Sequence, residues 1–430
     1  MFSKTCQIRP ISISLSPNTE KDDVVLAFKL LFQPWRWKWG KEIEKLEEEF
    51  RNYLGVKYAI SFNSGRSSLL AILNCLEFEK GSEILLQAFT CNAVPNPVIW
   101  AGLKPVYVDC NDDFNIDIQD LKEKINPKTR AVIVQHTFGN PADMDEIVAI
   151  CKENNLLLIE DCAHALGAEY RGQKVGTMGD VSFFSFSRDK VISSVYGGMV
   201  ATNNDNLAQK LRDYQKGIGY PSFFWIKQQL LHPVLMDWII LPTYKHIGKY
   251  IFVLLQELNI LSKAVNLKEK KGERPNYFPK RLPNAQALLA LSQFKKLDKF
   301  NNYRKEMADF YRGELKGTSF ELPKQYNDRS PNYLRLTIKH LKAHEIIEKV
   351  WKKNLLIGDW YTTAIAPDYN KLEKVKHGKG LRSISENMGY KSGSCPTAEK
   401  LAKITLNLPT QINISRQDAQ KVINFLKQWK

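Results

Sequence analysis

The chain has little that would fix it covalently. Its seven cysteines, Cys6, Cys75, Cys91, Cys110, Cys151, Cys162 and Cys395, are odd in number, and no two stand at C-x-x-C spacing. Several lie in apolar runs, where cysteine behaves as a small core residue, so neither a disulfide framework nor a zinc site is expected. No unbroken apolar run reaches the ~20 residues that a spanning helix needs. The first residues, MFSKTCQIRPISISLSPN, lack the apolar stretch of a signal peptide, which makes the reducing cytoplasm the expected compartment. There is no internal repeat and no low-complexity tract, which excludes solenoids and fibres. Hydrophobic residues at 43% and charged residues at 25% are those of an ordinary globular chain, and 430 residues suffice for about two or three domains.

Acidic residues are in short supply: 46 against 62 lysines and arginines, a formal net charge of +16. Such a field attracts anions, whether phosphorylated substrates, anionic lipid or nucleic acid. The excess is spread along the chain and not gathered in one arm, which argues against nucleic acid as the partner.

What is present is an alternation of short apolar runs and amphipathic segments. Residues 41–53 place Ile43, Leu46 and Phe50 at helical steps, with Leu54 just beyond. Strands are expected at 58–62, 83–87, 104–109, 131–135, 156–161 and 181–187. Helices are expected from 95, over 118–125, over 143–154 and over 206–216. The strand runs are rich in Val, Ile and Leu, as in strands covered on both faces. The pattern predicts an α/β fold with a mostly parallel central sheet and helices on both faces, its ligand site beyond the carboxyl ends of the strands. A large domain over 1–300 and a smaller α+β domain over 301–430 are expected, with one or two helices over 284–314, strand 333–338 and helices 343–353 and 416–427. Between 222 and 262 the chain turns strongly apolar and aromatic, broken by Pro233 and Pro242, and a basic linker follows.

Three features fall at the expected strand ends. Asp161 closes the run LLLIED, where an acid either caps the next turn or faces the crevice. Lys190 follows VSFFSF; it is either a solvated lysine or an amine able to condense with a cofactor aldehyde. Ser64-Gly65-Arg66-Ser67 is a glycine turn into a helix N-terminus, which suits a phosphate, and Arg66 adds a charged fork. Pyridoxal 5′-phosphate requires this combination: a phosphate cradle, an acid for the pyridine nitrogen and a lysine for the aldehyde.

The segments SGRSSLLAIL, GLKPVYVDC, QHTFGNPADMDEI, LIEDCAHALGAEYRGQKVGTMGDVSFFSFSRDK, YGGMVATNN, PNAQALLALSQFKKLD and CPTAEKLAKITLNLP occur in the order of one family. In them the chain resembles the DegT/StrS family of fold-type-I, pyridoxal-phosphate-dependent sugar aminotransferases, from about residue 36 onward. The resemblance implies that Lys190 bonds the cofactor aldehyde and Asp161 partners the ring nitrogen. It implies that Ser185 holds the phosphate with Ser64, Gly65, Arg66 and Ser67, and that His164 lies by the ring, as a participant or as a packed orienting group. It also implies an amino-acid donor, usually glutamate, a keto-sugar acceptor carried on a nucleotide or a lipid, and a homodimer. Lys190 separates the chain from related dehydratases, which carry histidine there.

The chain departs from the family at several points. Arg66 stands where a threonine is usual. Thr90-Cys91 stands where the ring-stacking aromatic is usual, leaving Phe89 as the nearest substitute. Asn276 lies further from Arg281-Leu282 than the cross-subunit asparagine of the family does. The apolar segment at about 222–275 is an insertion with three readings: added dimer interface, a surface resting on a membrane through Trp225, Trp238, Phe252 and Lys227, Lys245, Lys249, or a core or substrate lid. Charge and proline-broken helices favour the membrane reading slightly. The run Pro34-Trp35-Arg36-Trp37-Lys38-Trp39-Gly40 either stacks on substrate or packs against the insertion. Other functions weighed are a catalytically silent cofactor-binding scaffold and a basic membrane or nucleic-acid binder.

Overall fold

The computed structural model describes residues 9–16, 18–367 and 383–429. Cys6 lies outside them, and the other six cysteines are unpaired thiols.

Seven strands form the central sheet: β1 (Tyr58–Phe62), β2 (Glu83–Gln87), β3 (Lys104–Val108), β4 (Thr129–Gln135), β5 (Leu157–Asp161), β6 (Val181–Ser185) and β7 (Gly198–Thr202). Their order across the sheet is β1-β7-β6-β5-β4-β2-β3. All pairings are parallel except those of β7, which runs antiparallel to both β6 and β1. Side chains of both faces are buried, Ile84, Leu86, Ile133 and Ile159 on one and Leu85, Val132, Val134 and Leu158 on the other, which is why these strands read as continuous apolar runs. β7 was not anticipated as a strand. GMVAT is too short and too mixed to declare itself, and its pairing on both sides is what holds it.

Helices α1 (Lys21–Leu31), α2 (Glu42–Leu54) and α3 (Gly65–Cys75) precede the second strand. α3 is buried along nearly its whole length, from Gly65 to Leu73. The segment 284–314 resolves into two helices, Asn284–Phe294 and α6 further on (Leu297–Leu315). A smaller core gathers α6, Ala343–Trp351 and Arg416–Leu426 around the antiparallel pair β8 (Leu336–Lys339) and β9 (Thr405–Leu408), with Met307, Tyr311, Ile346 and Val422 inside. The N-terminal strand Ile11–Ser12 joins this cluster by pairing with Leu355–Leu356.

The insertion is helical from Phe223 to Glu257. α4 (Phe223–Leu235) is followed by two wide π-type turns, Met236–Ile240 and Tyr244–Gly248, and by α5 (Lys249–Glu257). Pro233 and Pro242 withdraw N–H donors here, and wide turns are how a helix accommodates that loss. The chain turns back so sharply that a Cβ on Gly248 would lie 2.3 Å from the Ile240 carbonyl oxygen. One face of α4 (Trp225, Ile226, Leu230, Val234) packs on Val24, Ala27 and Leu30 of α1 and on Trp37. No described helix is long and apolar enough to cross a membrane.

Candidate active site

The carboxyl ends of β4, β5 and β6 bring Gln135, Asp161 and Ser185 to one edge, and Gln135 pairs in register with Asp161. α3 starts beside them, capped by Ser64, whose hydroxyl oxygen accepts the Ser67 N–H at 3.0 Å. Close approach is enforced by glycine. A Cβ on Gly198 would meet the Ser64 carbonyl carbon at 2.5 Å, and one on Gly65 would meet Ser185 Cβ at 3.0 Å. Over this edge lies a cavity of about 370 Å³, with Ser64, Gly65, Asp161, His164, Ser185 and Lys190 in its wall. Arg66 and Cys91 also line it.

Asp161 is 3% exposed. Its Oδ1 accepts the Ala163 N–H at 3.0 Å, the turn-capping role the sequence allows, while Oδ2 takes no hydrogen bond. Burial pushes its carboxyl up to about 6, against the pull of that hydrogen bond and of Lys190. The Lys190 amine is pushed down by burial, helped by Arg335 and opposed by Asp189, Cys91 and Asp161. Its Nζ lies 4.9 Å from the centroid of the Trp360 ring, and the Arg335 guanidinium stacks on that ring at 3.2 Å. Arg304 and Asn18 fix the main chain of the lysine loop. Arg304 donates to the Val191 carbonyl at 2.7 Å and to Asn18 Oδ1 at 2.8 Å, and Asn18 donates to the Lys190 carbonyl. His164 accepts the Phe138 N–H on Nδ1 at 3.2 Å, so Nε2 carries its proton, and burial holds the ring neutral. It stacks on Trp360 at 5.6 Å and on Phe138 at 5.9 Å.

Some expected contacts are arranged differently. The Arg66 guanidinium is paired with Glu269, and it donates to the Ala264 carbonyl at 3.0 Å. Both charges are buried, so the fork expected at a phosphate is instead neutralised at the end of the insertion. Ser67 is outside the cavity wall, its hydroxyl donating to Asn63 Oδ1 at 2.7 Å. Phe89 is also outside it, stacked on Phe114 at 5.4 Å and edge-on to Tyr361 at 5.3 Å. Asn276 is exposed. The insertion also enters the wall, through His232, Met236, Phe252 and Gln256, as do Arg188, Tyr196 and Trp360. Arg188 could have been flagged from its place two residues before Lys190; the insertion residues carry no motif.

His136, Glu160 and Cys162 form a buried cluster of ligand-type groups. Glu160 accepts N–H donors from Gly176, Met178 and Gly179 at 2.6–2.7 Å and lies 3.1 Å from His136 Nε2. Nδ1 of His136 accepts the Ala142 N–H at 3.1 Å. Burial would raise the Glu160 carboxyl, yet these bonds hold it low. The cluster is a hydrogen-bond node that ties the turn after β5 to the sheet.

A lysine, a carboxylate and a helix N-terminus at the carboxyl edge of such a sheet define a group-transfer enzyme of the aminotransferase type. The DegT/DnrJ/EryC1/StrS aminotransferase family model matches residues 18–225 and 261–427, and the chain belongs to that family. It is an aminotransferase. Residues 226–260 fall outside the match, so the unmatched stretch is shorter than the insertion expected at about 222–275. GDP-perosamine synthase of Vibrio cholerae is 30% identical over 70% of this chain and 69% of its own length. A dTDP-3-amino-3,6-dideoxy-alpha-D-galactopyranose transaminase of Aneurinibacillus thermoaerophilus is 26% identical over 91% and 90%. Among solved structures, DesV of S. venezuelae, in complex with a ketimine intermediate, superposes with a TM-score of 0.70 at 25% identity over 95% and 94% of the two chains.

Proposed function

We propose that this aminotransferase moves the amino group of an amino acid, glutamate first among them, to a keto-sugar carried on a nucleotide or a lipid, for polysaccharide or glycoconjugate synthesis, with pyridoxal 5′-phosphate as cofactor. The observation that carries the reading is the joint placement of Asp161, Lys190 and the N-terminus of α3 around one cavity.

The residues fit the cofactor. Asp161 is a buried carboxylate whose Oδ2 accepts no hydrogen bond among the described residues, which leaves it open to a protonated ring nitrogen. The N–H groups opening α3, with the Ser185 hydroxyl, suit the phosphate, while the Ser64 hydroxyl is spent as a cap, donating to Ser67 Oγ at 3.0 Å. When bound, the cofactor supplies an electron sink for charge at the donor's Cα. Lys190 Nζ, lowered by burial, takes the proton from Cα as general base and returns it as general acid. His164, neutral and with its Nε2–H free to donate, would pack against and orient the cofactor ring when it is bound. Trp360 and Tyr361 line the cavity beside Lys190, whose Nζ lies 4.9 Å from the Trp360 ring centroid.

The purified chain should carry a visible absorbance that glutamate bleaches. Lys190→Ala should lack that band while still binding the cofactor, and the turnover of glutamate should fall by at least a thousandfold. A colourless wild type that takes up no added pyridoxal phosphate would overturn the reading.

We further propose that the face built by α1 and the insertion rests on an anionic membrane surface. This is supported by the exposure there of nearly every large apolar side chain exposed in the described residues, with Lys227, Lys245 and Lys249 exposed among them.

A further inference from the structure

Arg66 is committed to Glu269, yet the cavity retains a second buried guanidinium. Arg188 is 7% exposed and lines the cavity with Ser64, Gly65 and Ser185. Among the described residues no carboxylate pairs with it. One terminal nitrogen donates to Ser262 Oγ at 2.5 Å, and that hydroxyl donates to Gln229 Oε1 at 2.8 Å. Its Nε has no partner. Arg188 and Arg66 both lie against the Tyr196 ring, at 5.6 and 5.8 Å from its centroid. Near them, in the same wall, His232 is 3% exposed and its Nδ1 has no partner. Gln229, His232 and Ser262 come from the insertion and the turn that closes it. Burying a cation with no counter-charge is unfavourable, and an orphaned donor adds to the penalty. A phosphate group within the cavity would supply the missing counter-charge.

We propose that Arg188, held by Ser262 and Gln229, is a phosphate-binding guanidinium, and that the insertion thereby supplies from within the chain an anion site that Arg66 does not. The ligand is a phosphate ester, either the cofactor's own phosphate or the diphosphate of a nucleotide-linked acceptor. This rests on the proposed cofactor and substrate class, and the test separates the two.

The test measures binding to the full-length chain. Cofactor-free wild type and Arg188→Gln are titrated with pyridoxal phosphate and with pyridoxal, which lacks the phosphate, by tryptophan fluorescence. The cofactor-loaded proteins are titrated with GDP. If Arg188 holds the cofactor phosphate, Arg188→Gln weakens pyridoxal phosphate at least tenfold and leaves pyridoxal unchanged. If it holds the acceptor's diphosphate, cofactor affinity stays and GDP weakens at least tenfold. Unchanged affinity for both phosphate probes overturns the inference while leaving the cofactor reading intact. A wild type that binds no pyridoxal phosphate overturns the cofactor reading instead. Should Arg188→Gln not fold, Ser262→Ala removes only the hydroxyl that positions the guanidinium. It should weaken the same probe about threefold, and no change with it also overturns the inference.

Discussion

A carboxylate buried with one free oxygen is unstable by design, and Asp161 shows what that implies for pH. Its ordinary value is 3.8, and burial raises it to about 6 in the cofactor-free chain. Between those values the folded chain binds the proton that the unfolded chain has released. Stability therefore falls as pH rises through that window, by roughly 3 kcal/mol from this group. Asp161→Asn removes the titration. The cofactor-free variant should be close to wild type at pH 4 and more stable by about 2–3 kcal/mol at pH 8, read from urea unfolding midpoints, while transamination falls at least a hundredfold. Equal midpoints at pH 8 would show that the carboxylate is relieved in some other way. At this scale strand ends and a glycine turn point to Asp161, Lys190 and Ser64, and the family resemblance adds Ser185; the structure places all four in the cavity wall. Arg66 lines the cavity but is paired with Glu269, and Phe89 lies outside the wall. Nothing local reveals that Glu269, some two hundred residues on, claims the guanidinium, or that Phe114 and Tyr361 enclose the ring.

At the scale of elements, the insertion is fastened to the site by the Arg66–Glu269 pair. Both side chains are nearly inaccessible, at 9% and 0% exposed. Such a pair adds little net stability over an apolar replacement, but breaking it leaves a buried charge unpaired. Glu269→Gln should cost about 3–5 kcal/mol. Arg66→Met with Glu269→Leu should recover most of that loss, and a double-mutant cycle on unfolding midpoints measures the coupling. Limited proteolysis should cut near 258–266 sooner in Glu269→Gln than in wild type. The strands of the sheet were legible because continuous apolar runs leave no other choice, and observed ends lie within two residues of those expected. α1 was not. KDDVVLAFKLL is apolar on two faces, Val24, Ala27 and Leu30 inward and Val25 and Phe28 outward, so its helical period is blurred. β9 was missed because four residues gain their identity only by pairing with β8.

The whole molecule has one unusual face. All large apolar side chains exposed among the described residues, except Leu341 and Trp351, lie between 25 and 39 or between 223 and 260. Ring contacts join the two stretches: Phe28 meets Trp238 at 4.9 Å and Phe32 at 5.2 Å, and the buried Trp37 meets Phe223 at 5.9 Å. The acids between 223 and 260, Asp237 and Glu257, are each paired with a base, Arg9 and Lys263. The uncompensated charge on that face is positive, which is the complement of an anionic bilayer. Each lysine near such a surface contributes about 1 kcal/mol, and the exposed aromatic and aliphatic groups add an apolar term that salt does not screen. The cavity shares α5 with this face: Phe252 and Gln256 line the one, Leu254 and Val253 stand on the other. A sugar carried on a lipid would therefore meet the site at the height of the headgroups. The full chain should co-float with vesicles containing phosphatidylglycerol and much less with phosphatidylcholine alone. Lys245→Glu with Lys249→Glu should abolish the difference between the lipids. Trp238→Glu with Leu254→Glu should abolish flotation in both, and neither pair should change turnover of a water-soluble acceptor, since none of the four residues lines the cavity. If the wild type fails to float and crosslinks through this face to a second copy, the surface is a dimer interface and the membrane assignment falls.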